Sequence, residues 1–277
     1  MSTPDDERDP SDPEPGNAAT PPAPSARDAP SPETIVDEFT LVSPPSPAAF
    51  AERRERGILA YRVLRTTQVD EYEEAVTRSA VLAEREVLVE RGDDFRGTAR
   101  RAAKIAIARA ETERFADVRE LIASLPPDRE MARRRIDDGP DSGRVDEEKR
   151  NVRLRAFLYA ASREDDNDFH LIIGQDPRAS PVYMTAEVSG LPPTSSPHRR
   201  VLENVRDTYK AFFSRHREGI PGSSYDFYLP RIPIEIEGSL FFDATHSSGS
   251  RPGPRDLRPN MPTVWEIHPV TRITFEP

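Results

Sequence analysis

The sequences RIPIEIEGSLFFDATH, residues 231–246, and WEIHPV, residues 265–270, decide the fold of this chain. In the first, isoleucines alternate with proline and glutamate; in the second, tryptophan and isoleucine alternate with glutamate and histidine. A period of two places apolar side chains on one face of a strand and polar side chains on the other. The two stretches therefore predict two strands, each with one buried face.

The same alternation begins upstream, at Arg150. It predicts a first strand over residues 150–161, a second over 168–173 and a third over 182–188, followed by a helix from about Pro197 to His216. Three strands, a helix and two strands is the order of an OB-fold. We predict that residues 150–277 form a five-stranded OB-like β-barrel with a helix between strands three and four. A β-sandwich, or another α+β arrangement of the same elements, is the rival prediction. Pro269 inside the last strand predicts a bulge there.

The rest of the chain differs in composition. Residues 1–47 contain twelve prolines among acidic and small residues, which predicts a disordered acidic arm, although residues 34–42 form a short apolar run that suits a docking strand or a linear motif. Residues 48–136 predict a helical region, with its best helix from Phe95 to Leu125 along an alanine-rich stripe, and Ile58–Leu64 is ambiguous between helix and strand. A polar linker covers residues 137–149. The predicted fold class is therefore α+β.

Charge and composition narrow the possible functions. The net charge is −10, but residues 150–277 carry 16 basic and 16 acidic residues, so all of the excess acid lies upstream. That balance argues against non-specific coating of DNA. The absence of cysteine excludes disulfides and thiolate metal sites. No secretory signal and no long apolar run is visible, which predicts a cytoplasmic protein that spans no membrane. The wealth of Arg, Ala and Pro is typical of a GC-rich bacterial genome.

Polar residues on the predicted outer face form a candidate site. Asp-x-His and Glu-x-His spacings place both side chains on one face of a strand. Carboxylates and imidazoles together can bind a divalent transition metal and activate water. The candidate metal ligands are Asp168, His170, Asp243, His246 and His268. The candidate acid–base residues are Glu187 and Glu266. The alternative is that these groups only form hydrogen bonds on a solvated surface.

A second set suggests single-stranded nucleic acid as the partner. Arginines interleaved with aromatics are typical of surfaces on which bases stack. The candidate binding residues are Arg153, Arg155, Phe157, Tyr159 and Tyr183. The neighbouring acidic residues oppose this interpretation, because they would repel phosphate unless a metal ion intervened.

Three motifs also resemble those of a bacterial protein family of uncharacterised activity. That family reads Asp-x-Asp-x-His-Leu, then Glu, then Gly-x-x-Phe-Phe-Asp-x-x-His, then Glu-x-His-Pro-Val. The matching segments here are 166–171 with Glu187, 238–246 and 266–270. The resemblance covers residues 150–277, and it departs in the loop before the last strand, where NMPT (260–263) replaces the expected glycine-rich sequence. It supports the domain and its polar residues, and it implies no reaction.

Three functions remain open. The first is a non-catalytic OB-like module that binds an oligonucleotide, an oligosaccharide or a protein. The second is a metal-dependent hydrolase, of the phosphodiesterase kind, that uses the His, Asp and Glu residues. The third is an assembly protein in which the helices associate and the barrel is a cap.

Overall fold

The computed structural model describes residues 28–42, 53, 57, 60–70, 92–214, 219–248 and 251–277. The predicted disorder of residues 1–27 and 43–47, and the predicted helix over residues 71–91, lie outside the described residues. Among the helices that are described, none has the length and apolar character that crossing a bilayer requires.

The described residues form eight strands and four α-helices. The strands are β1 (Ile35–Leu41), β2 (Tyr61–Thr66), β3 (Thr112–Phe115), β4 (Asn151–Arg163), β5 (Phe169–Gly174), β6 (Tyr183–Val188), β7 (Asp226–Phe242) and β8 (Trp265–Phe275). The helices are α1 (Arg101–Lys104), α2 (Val118–Ala123), α3 (Asp128–Ala132) and α4 (Arg199–Phe213). The α+β class is thus confirmed, and α4 lies between the third and fourth predicted strands, as expected.

All eight strands belong to one mixed sheet, with the order β1-β2-β7-β8-β6-β5-β4-β3. Strand β7 also pairs with β4, so that β4, β5, β6, β8 and β7 form a closed cycle of paired strands. The pairs β6–β8 and β3–β4 are parallel, and the other pairs are antiparallel. The predicted count of five strands is wrong, because β1, β2 and β3 extend the sheet at its two ends.

Strand β1 lies inside the segment predicted as a disordered arm. It pairs with β2 from Ile35 opposite Thr66 to Leu41 opposite Tyr61, and Leu41 is fully buried. The prediction of disorder is wrong for residues 35–41, and the docking-strand alternative is confirmed. The prediction failed because it followed the proline-rich composition of the whole arm. Within the arm, one short run of β-branched and aromatic residues favours a strand. Where the arm, the helical region and the linker begin and end stays a prediction.

The predicted helix from Phe95 to Leu125 is also wrong. The structure has α1, then β3, then α2 in its place. The amide of Asn151 donates to the carbonyls of Ala108 and Ala110, at 2.9 Å each, and Ser239 Oγ accepts from the Ala108 N–H. These tertiary hydrogen bonds replace the helical ones, and β3 then pairs with β4. Contacts from distant residues therefore outweigh the helix propensity of the alanines.

Two apolar clusters lie on opposite faces of the closed cycle. The larger takes the side chains predicted to point inward, among them Leu171, Ile236 and Ile267, and α4 adds Tyr209 and Phe213. The smaller lies on the outer face, under the loop that carries Leu257 and Met261. A register shift between Leu158 and Ala160 moves Ala160 into the outer cluster, against the predicted alternation.

The bulge expected near Pro269 is confirmed by register shifts in the β7–β8 pair on both sides of Gly238. A Cβ added at Gly238 would lie 2.5 Å from the Pro269 carbonyl oxygen and 2.6 Å from Ile267 Cγ2. The backbone of β8 therefore approaches β7 at a point where only glycine fits.

We expect Gly238→Ala to lower the free energy of unfolding by about 1–3 kcal/mol, as overpacking in a core does. Gly143→Ala is the matched control, because no atom lies within 4 Å of a Cβ built there. Chemical denaturation of the two variants measures the difference. Equal stabilities would show that β7 and β8 do not approach as closely as described.

Candidate metal centre

Neighbouring strands bring the predicted site residues side by side on the outer face. His170 on β5 lies directly opposite Glu187 on β6. Strand β8 runs parallel to β6 on its other side, with Glu266 opposite Thr185. His268 is two residues further along β8 and therefore lies on the same face as Glu266. The apolar neighbours of these residues point into the larger cluster. The alternation predicted from the sequence therefore assembles this group.

Asp168, Glu187 and His268 form the centre of the group. His268 Nε2 lies 3.2 Å from Asp168 Oδ2, and His268 Nδ1 lies 2.7 Å from Glu187 Oε2. One donor atom from each residue lies within 4.8 Å of the others. All three side chains are buried, yet Asp168 Oδ2, Glu187 Oε2 and His268 Nδ1 make no hydrogen bond. Two carboxylates and one imidazole at this spacing could hold a metal ion.

Burial and mutual contact shift the pKa values of the ionisable groups at this centre. Burial raises the pKa of Glu187 and of Glu266 well above their usual range. Burial opposes ionisation of Asp168 too, but contact with His268 lowers its pKa to about 2. Burial would lower the pKa of His268, and the carboxyls of Asp168 and Glu266 raise it instead. The centre therefore holds more carboxyl groups than its histidine can neutralise.

A second group contains Asp70, Glu164 and His170. The Nδ1 atom of His170 forms a hydrogen bond with Glu164 and lies 3.4 Å from Asp70 Oδ2, while Nε2 lies 3.2 Å from Thr185 Oγ1. Asp70 in turn accepts a hydrogen bond from the hydroxyl of Tyr225 at 2.8 Å. Each ring nitrogen of His170 thus has a partner. This group orders His170 beside Glu187, and one donor atom from each of its residues lies within 4.8 Å of the others.

Asp243 and His246 pair with each other. His246 Nδ1 forms a hydrogen bond with Asp243 Oδ2, and Asp243 Oδ1 accepts from the Thr245 N–H at 2.8 Å. Burial would raise the pKa of Asp243, but His246 lowers it to about 2. Burial would lower the pKa of His246, but Asp243, and more weakly Asp70, raise it.

The residues predicted to bind nucleic acid do not form one exposed surface. Tyr159 and Tyr183 are buried in the smaller apolar cluster, with their rings 4.7 Å apart. Arg153 forms an ion pair with Glu235. Arg155 is exposed and Phe157 is half-buried. The two tyrosine rings are therefore not available for stacking with bases.

Sequence reasoning missed three residues of the site. Asp70 follows β2 in a region predicted as helical, and Glu164 lies in the loop after the first predicted strand, which the sequence places on the binding side without giving Glu164 a role. Lys104 ends α1, and its Nζ lies 3.2 Å from Asp166 Oδ2. No alternation marks these positions, because they come from segments that fold over the outer face. The one available signal is the rarity of lysine, which occurs three times in the chain.

Comparison with protein-family models, with curated proteins and with solved structures finds no match for this chain. The site must therefore be interpreted from its own geometry.

The Asp243–His246 pair predicts a pH-dependent contribution to stability. The pKa of Asp243 falls below its usual 3.8, so that its contribution is present above about pH 4 and is lost as the pH falls towards 2. The pKa of His246 rises above its usual 6.5, so that its contribution is present below about pH 6.5 and is lost as the pH rises further. The pair is therefore most stabilising between these limits.

We expect Asp243→Asn to reduce stability by about 1.5 kcal/mol near pH 5.5, the magnitude of a hydrogen bond to a charged group. The loss should shrink at pH 9 and at pH 2.5, as measured by urea denaturation across pH. Asp146→Asn is the control, because Asp146 pairs with Lys149 on the exposed surface. A loss that does not vary with pH would contradict the pairing.

Proposed function

We propose that the closed cycle of strands is an OB-like β-barrel and that its outer face binds one divalent transition-metal ion for hydrolytic chemistry. The observation that carries this proposal is the convergence of three buried donor atoms, from Asp168, Glu187 and His268, that have no hydrogen-bond partner. Two carboxylates and one imidazole suit zinc, manganese or iron.

The strand pairing supports the barrel. An OB-fold is a five-stranded Greek-key barrel that binds its ligands on strands two and three and on the loops after strands one and four. Here β5 and β6 are strands two and three, the loop after β4 supplies Glu164 and Asp166, and the loop after β7 supplies His246. The candidate metal centre thus lies where this fold binds its ligands. Strands β1, β2 and β3 are additions to it.

Three protein ligands leave coordination positions for water and substrate. A divalent cation held by Asp168, Glu187 and His268 would supply a Lewis acid and an acidified water molecule. Glu266 Oε2 lies 3.6 Å from His268 Nδ1, so that it is placed to accept a proton from the attacking water. His170, held by Glu164 and Asp70, lies beside Glu187 and fixes its side of the site.

The acidic residues of the nearby loops are more exposed than the three ligands. The ligands are almost fully buried, whereas the side chain of Glu164, after β4, is 25% exposed and that of Asp243, after β7, is 16% exposed. We therefore place the approach of a substrate on the loop side.

Hydrolysis explains this geometry better than oligonucleotide binding by base stacking does. Tyr159 and Tyr183, which stacking would need, are buried, while the predicted acid and histidine residues lie together. The resemblance to the bacterial family, itself a prediction, also centres on these residues.

The first test is metal binding by the full chain after dialysis against a chelator. We expect one equivalent of Mn²⁺ or Zn²⁺ by calorimetry, and stabilisation of about 2.7 kcal/mol at a metal concentration 100 times Kd. His268→Ala should weaken binding at least tenfold. His198→Ala is the control, because His198 lies at the start of α4. If the wild-type chain neither binds nor is stabilised by either metal, the proposal fails.

The second test is hydrolysis. The metal-loaded chain should cleave bis(p-nitrophenyl) phosphate, and Glu266→Gln should lower kcat by about 100-fold, the range of general acid–base catalysis, while one metal ion stays bound. Metal binding without turnover of this or any other phosphodiester would leave the centre structural and refute the hydrolase.

A further inference from the structure

Lys104 is the cationic residue that faces the candidate metal centre. Its ammonium group lies 3.2 Å from Asp166 Oδ2 and 6.0 Å from the centre of the Phe241 ring, and its side chain is 18% exposed. The charge of Lys104 acts on Glu187, Asp166, Asp168 and Glu164, in that order. Asp166 also accepts a hydrogen bond from the Asp168 N–H at 3.2 Å, so that Lys104 contacts the segment that carries a proposed metal ligand.

The choice of lysine here is unusual for this chain. Only three of its 39 basic residues are lysine. The other two, Lys149 and Lys210, pair with Asp146 and Asp93 away from the site. A guanidinium forms a planar fork that pairs with one carboxylate, whereas an ammonium is a compact point charge with three rotatable donors. Only the smaller group suits a position shared by several carboxylates and a substrate.

The positive charge of Lys104 alone does not balance the carboxyl groups around it. Asp168, Glu187, Glu164 and Asp166 carry four carboxyl groups around one ammonium group. Buried charges are costly unless they are paired. The four carboxylates oppose the burial of the lysine and raise its pKa well above its usual range, so that it stays charged. A divalent cation would add further positive charge to this set.

The second acidic group, Asp70, Glu164 and His170, has donor atoms within 4.8 Å of one another. Both nitrogens of its histidine already have partners, and Asp70 accepts hydrogen bonds from Tyr225 and from the Gly253 N–H. Two-metal hydrolases place two cations on the reacting oxygens, one for the attacking and one for the leaving oxygen. In this chain Lys104 contacts Asp166, which lies in the sequence between Glu164 of the second group and Asp168 of the centre, so that it supplies a positive charge between the two groups.

We propose that Lys104 is the second cation of the centre, sharing its carboxylates with one metal ion and contacting the anionic group of the substrate. The inference rests on the proposed function and names its substrate class, an anionic ester such as a phosphodiester. Hydrolysis adds the hydroxyl of water to phosphorus, breaks the bond to the leaving oxygen and delivers the proton of water to that oxygen. Lys104 stabilises the anionic transition state and takes no part in bond formation.

The test compares Lys104→Met and Lys104→Gln with Lys104→Arg and with the control Lys210→Met. Calorimetry with Mn²⁺ alone should show one equivalent in every chain, with about tenfold tighter binding to Lys104→Met and Lys104→Gln, because a competing charge has been removed. The same two variants should lose about 100-fold in kcat on bis(p-nitrophenyl) phosphate. Lys104→Arg should recover part of kcat, and Lys210→Met should match the wild type in both measurements.

The outcomes separate this inference from the proposed function. If no chain binds Mn²⁺, the proposed function fails and the inference falls with it. If the wild type binds Mn²⁺ and turns over, but Lys104→Met and Lys104→Gln have unchanged affinity and kcat, only the inference fails. If neither variant folds even with Mn²⁺ present, as judged by circular dichroism, Lys104 is a structural counter-ion and the inference is overturned. A second equivalent of Mn²⁺ in the wild type would also overturn it.

Discussion

The pairing of β4 with β7 closes the cycle of strands, and the rest of the structure depends on it. Strand β7 pairs with β4 along one edge and with β2 and then β8 along the other. Within this cycle, one face of each strand packs into a common apolar cluster. Polar residues at alternate positions are then forced onto the outer face. The close approach at Gly238 is part of the same closure, since it lets β8 follow β7 through the bulge.

The outer face is itself covered, and this turns ordinary polar residues into a buried charged group. The segments that carry Asp70, Lys104 and Gly253 fold over β5 and reach the carboxylates there. A buried ion pair away from the centre gives the comparison. Arg100 donates to both oxygens of Glu148 at 2.6 and 2.7 Å. At the centre, by contrast, Asp168 and Glu187 both face the single imidazole of His268, at 3.2 and 2.7 Å.

The strands of the C-terminal half and their buried faces could be predicted from the sequence, because a period of two is a strong local signal. His170, Glu187 and His268 followed from it directly. The alanine-rich segment after Phe95 could not be predicted correctly. Its sequence has a helical pattern, but the side chains of Asn151 and Ser239, which are distant in the sequence, form hydrogen bonds with its backbone. The prediction of a stacking surface was wrong for a related reason. Alternation places Tyr159 and Tyr183 on the outer face, but it does not reveal that a loop covers that face.

The sequence by itself determined most of the inward and outward positions on the five C-terminal strands, since alternation depends on neighbouring residues. The register shift after Leu158, which reverses Ala160, was decided by strand pairing. The sequence also determined that carboxylates and imidazoles recur together on the outward side. The tertiary structure alone decided that Asp168, Glu187 and His268 converge while Asp243 pairs with His246. It alone brought Lys104 and Asp70 to the same place, because burial and the meeting of distant segments depend on how the whole sheet closes and on what folds over it.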